Sequence, residues 1–491
     1  MSDSPSPTAA TSAVVLGAGS AGMLAATVLA RHVDRVTVFD RDRLPQGPEQ
    51  RRGVPQARHS HVLWSGGGQV VESLLPGTVE ALLAAGAHRI SLPEQMVSLT
   101  AYGWQHRFPA TQSMIAASRS LLDWLIREAA LRESRITVRE ETDLVGLCGD
   151  AGRITGVTVR PRQRGGAPAV VEADLVVDAT GRGSPLKRWL TELGLPPVRE
   201  DVIDAGMAYA TRVYRAPAGV GAFPLVSLYA DHRAGVPGRN GMLLPIEEGR
   251  WMVTLSGTRG SEPPVTPEGF DAFLRTLRHP LIADLVAGLE PLTPVHSSRS
   301  TANRRLFYDR LARWPEGLVV LGDALAAFNP VYGHGISSAA LSARELDRAL
   351  DGHGLAPGLA QAVQRTLGAV VDTPWSLATS QDIRYPDCRS DTQDPRLGRY
   401  AEEHQRAADL VGTFTVNDPL VSAAALEVST LAGPPDRLQA PDVRAVLAGG
   451  AHLPPLTAPP LTAQEHRAAG LPPLLTRPSV SSSSLGQDIH E

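Results

Sequence analysis

Cysteine is nearly absent: the 491-residue chain holds two, Cys148 and Cys388, far apart and outside any metal-ligand spacing. A disulfide framework and a zinc site are excluded as organising devices, and a reducing compartment is expected. No apolar run approaches membrane-spanning length, and the polar opening MSDSPSPTAATSA lacks the basic and apolar regions of a signal peptide. A cytoplasmic protein without membrane insertion is the expectation. Excess charge of one sign is missing as well, with 47 Lys plus Arg against 51 Asp plus Glu, and the arginines are scattered among acids. Nucleic acid is therefore not an expected partner. No internal repeat is present, and the length exceeds what one hydrophobic core usually supports, so two or more packed units are expected.

What is there begins at Ala13. A strand (AVVL), a glycine-rich turn (GAGSAG), a helix (Met23 to His32), a second strand (VTVF) and then Asp40 read as a βαβ nucleotide-binding opening. In that turn Gly17, Gly19 and Gly22, with Ser20 and Ala21 between them, permit the tight bend, close approach of a pyrophosphate and close helix-strand packing. Asp40 ends the second strand, where a carboxylate accepts hydrogen bonds from a ribose diol and repels a 2′-phosphate, which favours FAD or NAD over NADP.

A second glycine stretch decides between these two. VVLGDALAAFNPVYGHG, Val319 to Gly335, is again strand, turn and helix. An NAD site has no use for it, whereas the ribityl chain and isoalloxazine ring of FAD extend beyond the pyrophosphate and need further segments. Gly322 and Asp323 fall at the carboxyl end of the strand, with Asp323 suited to a ribityl hydroxyl. Pro330, Gly333 and Gly335 let backbone amides approach the ring, and the helix from Ile336 brings its positive end to the reduced, anionic flavin.

Between these stretches, Arg119 to Ala130 has helical spacing, Ala173 to Gly181 (ADLVVDATG) reads as a strand, and Gly206 to Gly257 is β-rich, with a tight turn at Glu247 to Gly249. Along the strand from Trp251 to Ser256, Trp251, Val253 and Leu255 share one face, which is expected to line an apolar substrate cavity. His59 and His61 alternate, but without a third convincing ligand no metal is expected. His334, inside the second glycine loop, is a candidate proton donor, although a surface imidazole is the commoner case there.

GAGSAG with Asp40-Arg41, the helix opened by Arg119, the strand ending in ATG and the Gly322-Asp323 loop together resemble the FAD-dependent aromatic hydroxylase superfamily, over roughly residues 13 to 350. More narrowly, GVPQARHSHVLWSGG, AYGWQHRFP, ATGRGSPLKR, NRRLFYDRL and GDALAAFNPVYGHG resemble the flavin-dependent epoxidases of polyether ionophore biosynthesis, of the lasalocid and above all the monensin type. The resemblance implies an α/β fold: a Rossmann-like FAD-binding domain, an inserted β-sheet substrate domain and a helical C-terminal part. The expected boundaries are 11–75, 110–200 and 295–360 for the FAD domain, 76–109 and 201–294 for the substrate domain, 361–450 for the helices and 451–491 for an extended or disordered Pro/Ser-rich tail.

By the same resemblance Arg41 lies on the adenine side and Arg119 reaches the ribose or pyrophosphate region. The implied reaction is epoxidation of a linear polyene polyketide by reduced FAD and dioxygen through a C4a-hydroperoxyflavin, with no side-chain nucleophile, and with NAD(P)H as ultimate reductant. Many relatives carry an acid where this chain has Thr180 before Gly181, which puts direct reduction in doubt and brings in a separate flavin reductase as partner. Rival readings are a flavin-dependent double-bond reductase, another flavin hydroxylase or halogenase, and a non-catalytic flavoprotein. The halogenase is disfavoured because no two of the seven tryptophans stand two residues apart, as WxWxIP requires.

Overall fold

The computed structural model describes residues 10–163, 165–221, 223–397, 401–450 and 452–471. It opens with β1 (Ser12–Leu16), α1 (Ser20–Leu29) and β2 (Arg35–Phe39). Then come β3 (His61–Trp64), α2 (Ser65–Leu74), β4 (Met96–Thr100) and β5 (Gln112–Ala117). Next are α3 (Arg119–Ala130), β6 (Ile136–Arg139) and β7 (Leu175–Asp178). Four strands follow, β8 (Ala208–Arg215), β9 (Leu225–Leu228), β10 (Arg239–Ile246) and β11 (Arg250–Gly257). After α4 (Pro267–Leu274) and α5 (Leu281–Val286), β12 (His296–Ser298) and β13 (Leu318–Val320) lead to α6 (Gly335–His353). The C-terminal part contributes α7 (Asp372–Asp382), α8 (Ala401–Asn417), α9 (Pro419–Ser429) and α10 (Ala463–Ala468).

Five strands form a parallel sheet in the order β13–β7–β1–β2–β6. A parallel sheet is covered on both faces, so its central strands are apolar throughout, and Val14 to Leu16 and Leu175 to Val177 are each at most 1% exposed. α1 is buried in every residue but Ala21, as a helix between sheet and outer helices must be. The register sets Leu16 level with both Asp178 and Phe39, and Asp178 level with Val320. The carboxyl ends of four strands therefore share one edge, the place where open α/β sheets bind ligands.

The second layer is a seven-stranded sheet in the order β12–β8–β11–β10–β9–β4, closed by the pair Gly103–Trp104. Its pairs are antiparallel apart from β9 with β4. Glu248 and Gly249, both at φ +62°, make the tight turn between β10 and β11. One face of this sheet packs on α4 and α5 through Trp251, Val253 and Leu255 against Phe270, Leu274 and Ile282.

The architecture is the α/β fold expected, with two departures in detail. The strand His88–Leu92, in the segment assigned to the substrate domain, pairs with β5 rather than with the large sheet. Arg389–Asp391, in the segment assigned to helices, pairs with Glu200–Asp204. Part of the tail is built in as well: Leu456 bridges to Trp104, and Arg107 forms a two-pronged ion pair with Glu465 at 2.5 and 2.8 Å. Its residues 472–491 lie outside the described residues. Among the described residues no helix is long and apolar enough to cross a membrane.

Candidate functional site

The glycine turn after β1 shows which glycines the fold itself needs. A Cβ on Gly17, at φ +98°, would lie 2.7 Å from the Ala179 carbonyl oxygen, and one on Gly22 would lie 1.8 Å from that of Gly17. Those two serve close packing. A Cβ on Gly19 would meet nothing within 4 Å, so the third glycine faces open space. No side chain caps α1, whose first N–H groups are thus left for an anion such as a pyrophosphate.

Asp40 is 7% exposed and already engaged. Its Oδ2 accepts from the Ala18 N–H at 2.7 Å and from Arg51 at 2.7 Å, and its Oδ1 accepts from the Asp42 N–H at 2.8 Å. A carboxylate has about four acceptor positions, so one on Oδ1 remains for a ribose hydroxyl. Arg51, which also donates to the Ala18 carbonyl at 2.9 Å, is a site residue that the sequence reading missed. Arg41 is exposed at the rim.

Arg119 is tied to the same turn by a short chain of contacts. Ser20 Oγ donates to Asp123 Oδ1 at 2.5 Å, and Asp123 Oδ2 lies 2.8 Å from Arg119 Nε. Burial alone would push the Asp123 carboxyl up, but Arg119 and Ser20 hold it below the ordinary carboxylate value. The start of α3 is fixed from the other side by Glu247, which accepts the Ser118 N–H at 2.9 Å.

The second glycine stretch closes on the first. Gly322, at φ +64°, would place a Cβ 2.9 Å from that of Ala21, and a Cβ on Gly333, at φ +68°, would lie 2.7 Å from Val62 of β3. Trp64 fastens the loop by donating from Nε1 to the Tyr332 carbonyl at 3.1 Å. Pro330 opens the single turn Pro330–Tyr332. Asp323 lies at the edge, with Oδ2 3.7 Å from Arg182 Nε and Oδ1 3.9 Å from where a Cβ on Gly335 would stand. Every cofactor-binding candidate except Arg41 thus borders one region at the carboxyl edge of the sheet.

The two alternating histidines are each held through Nδ1 by protein groups. His59 Nδ1 bonds Thr211 Oγ1 at 2.7 Å, and His61 Nδ1 bonds the His59 carbonyl at 2.8 Å. Among the described residues no cluster suited to a metal ion occurs. Burial, with His296 and Arg58 nearby, pushes His59 down to about 4. His334 is also buried, not on the surface; its Nε2 bonds the Ser429 carbonyl at 2.9 Å and burial pushes it down to about 4. With the Nε2 proton given to that carbonyl, the neutral ring has none on Nδ1 to donate, which argues against a proton-donor role.

The expected pocket face requires a correction. Trp251, Val253 and Leu255 are each at most 1% exposed and form core against α4 and α5. The opposite face of β11 carries Thr254, whose Oγ1 bonds both Thr211 Oγ1 and Ser60 Oγ at 2.8 Å. A further network joins this region to the C-terminal helices. Tyr209 donates to Asn329 Oδ1 at 2.7 Å, while Asn329, Asn303 and Tyr332 all donate to Asp382 of α7 at 2.7 to 2.8 Å. Burial pushes Asp382 up to about 6 against those three hydrogen bonds.

An FAD molecule fits these residues by a test internal to the fold. Arg51 Nε, His59 Nε2 and His334 Nδ1 are buried without hydrogen-bond partners, and all belong to segments that border the glycine turns. Buried polar atoms are normally paired, so an orphan beside a glycine turn is an atom that a polar ligand can satisfy.

Comparison with known proteins agrees. Residues 13–187 match the family of FAD dependent oxidoreductases. Protein Rv3254 of Mycobacterium tuberculosis is 33% identical over 390 residues, covering 76% of this chain and 80% of that protein. Kynurenine 3-monooxygenase of Salinispora arenicola is 28% identical over 353 residues, covering 69% and 72%. Among solved structures, the flavin-dependent brominase Bmp2 superposes with a TM-score of 0.62 at 15% identity, over 86% of this chain and 94% of that one. PqsL of Pseudomonas aeruginosa, a probable FAD-dependent monooxygenase, gives 0.57 at 20% identity, over 76% and 97%. At such identities the two structures speak for the fold.

Proposed function

Since this chain belongs to the FAD-dependent oxidoreductases and shares a family with protein Rv3254, as an enzyme with the fold of the flavin monooxygenases, we propose that it epoxidises alkenes of a linear polyene polyketide. The assignment of substrate rests on the long segments that resemble polyether epoxidases, GVPQARHSHVLWSGG and GDALAAFNPVYGHG among them. The observation that carries the reading of the site is the closure of Gly322 upon Ala21, which makes one continuous seat from two glycine turns three hundred residues apart.

Bound FAD supplies the two-electron chemistry by which dioxygen is activated for transfer to an electron-rich double bond. The chain's own residues do the rest. The N-terminal amides of α1 hold the pyrophosphate, Asp40 and Asp323 accept from ribose and ribityl hydroxyls, and the N-terminus of α6 favours negative charge beside it. The hydroxyls of Thr211, Thr254 and Ser60 bond one another and His59, so the wall there is polar yet internally satisfied and does not demand bulk water.

A separate flavin reductase fits the turn after β7. Thr180, where many relatives carry an acid, spends its N–H and hydroxyl on Asp178 Oδ1 at 2.9 and 2.6 Å. Incubation of the purified protein with FAD, a flavin reductase, NADPH and candidate polyenes tests the whole reading by mass spectrometry. Gain of one oxygen per double bond is expected; gain of hydrogen would make the enzyme a double-bond reductase instead.

A further inference from the structure

One cavity of about 380 Å³ lies where the segment from Pro48 to Arg58, the start of α3 and the ends of β8, β10 and β11 meet. That volume lies within the range of small-molecule sites. Its lining divides by chemistry. Leu121, Val213, Ile246 and Met252 are buried and apolar, with the half-buried Trp124 beside them. Arg58 is exposed at the rim, next to His296.

The acids in the lining are already spent. Glu247 gives one oxygen to the Ser118 N–H at 2.9 Å and the other to Arg250 at 3.0 Å. Glu248 stands out into solvent, 71% exposed, 3.3 Å from the same Arg250. Arg58 is different: its Nε donates to Gln50 Oε1 at 2.6 Å and its NH1 lies 3.3 Å from His296 Nδ1. Among the described residues it has no carboxylate at ion-pair distance. An arginine that donates to Nδ1 leaves the imidazole proton on Nε2, so Arg58 and His296 present two donors side by side.

We propose that this cavity binds the free carboxylate end of an acyl chain, the acid held by Arg58 and His296 and the chain laid along Leu121, Trp124, Ile246 and Met252. The inference rests on the monooxygenase reading above and narrows its substrate to free acids rather than esters or amides. Arginine suits the task because its planar fork matches the two oxygens of a carboxylate.

Calorimetric titration of the oxidised, FAD-loaded enzyme with octanoate and with octanamide tests it without turnover. Octanoate is expected to bind at least tenfold more tightly than octanamide, a difference of about 1.4 kcal/mol. In Arg58→Gln that preference should vanish while octanamide affinity stays put, and Met252→Trp, which fills the cavity, should weaken both ligands. Equal binding of acid and amide by the native enzyme, a preference that survives Arg58→Gln, or unchanged affinities in Met252→Trp would each overturn the site. Binding as expected with no oxygen transferred to polyenes would instead sink the reaction and leave the carboxylate site standing.

Discussion

Gly322 packs so closely on Ala21 that a Cβ added to it would lie 2.9 Å from the Cβ of Ala21. The contact joins the two nucleotide-binding turns and explains why a chain with one glycine fingerprint carries another. Gly322→Ala meets two penalties, since φ is +64° there and left-handed backbone costs an L-residue about 1–2 kcal/mol before any clash. The variant is expected to retain FAD at least tenfold less well, read from the flavin-to-protein absorbance ratio after gel filtration. Native occupancy would show that the contact does not shape the site.

Asp323→Ala tests the ribityl assignment separately. The carboxylate is partly exposed and its nearest cation, Arg182 Nε, is 3.7 Å away, so its loss should leave the fold intact. Loss of flavin on purification, with a melting temperature equal to that of the flavin-stripped native protein, is the expected outcome. Full flavin content would remove Asp323 from the binding set.

How legible the molecule was varies with the range of the interaction. The parallel core could be read because Val14, Val15 and Leu16 stand beside their own turn glycines, so local pattern and tertiary role coincide. The face of β11 could not: a period of two separates Trp251 from Met252 without saying which side meets the cofactor. The apolar run Phe270, Phe273 and Leu274 was the available clue that helices cover the Trp251 face. Arg51 was hidden because its worth lies in a contact with Asp40 eleven residues earlier that no periodicity marks. The tail misled because prolines exclude helix locally while Leu456 and Glu465 find partners hundreds of residues away.

The corrected faces of β11 make opposite predictions. Trp251→Ala removes a side chain 1% exposed from the core and should cost about 3–5 kcal/mol of stability. Thr254→Val removes the shared partner of Thr211 and Ser60 and should cost roughly 1–3 kcal/mol, with a changed flavin absorbance spectrum in the folded protein. Chemical denaturation with flavin spectra on both variants separates them. A spectrum altered in a folded Trp251→Ala and native in Thr254→Val would restore the original assignment of the pocket face.

Acid should destabilise the protein, and the buried histidines set the window. His59, His232 and His334 are 5%, 7% and 4% exposed, and burial pushes each down to about 4 from an ordinary value near 6.5. A base whose folded value is depressed binds fewer protons in the native state than in the unfolded chain. Its stabilising contribution is therefore whole above about pH 6.5 and drains away as the pH falls toward 4. At pH 5 that loss is roughly 2 kcal/mol for each histidine. Asp382 works the other way: with its carboxyl pushed up to about 6, the folded state gains on protonation, by about 1 kcal/mol between pH 7 and pH 5. His61, which burial pushes down to about 3, adds a fourth loss; four losses outweigh one gain, so the melting temperature should fall steadily between pH 6.5 and pH 4. His334→Gln, which keeps a donor near the Ser429 carbonyl, should flatten the slope in part. A melting temperature level across that range, or an unchanged slope in the variant, would mean that burial does not depress these imidazoles in the folded protein.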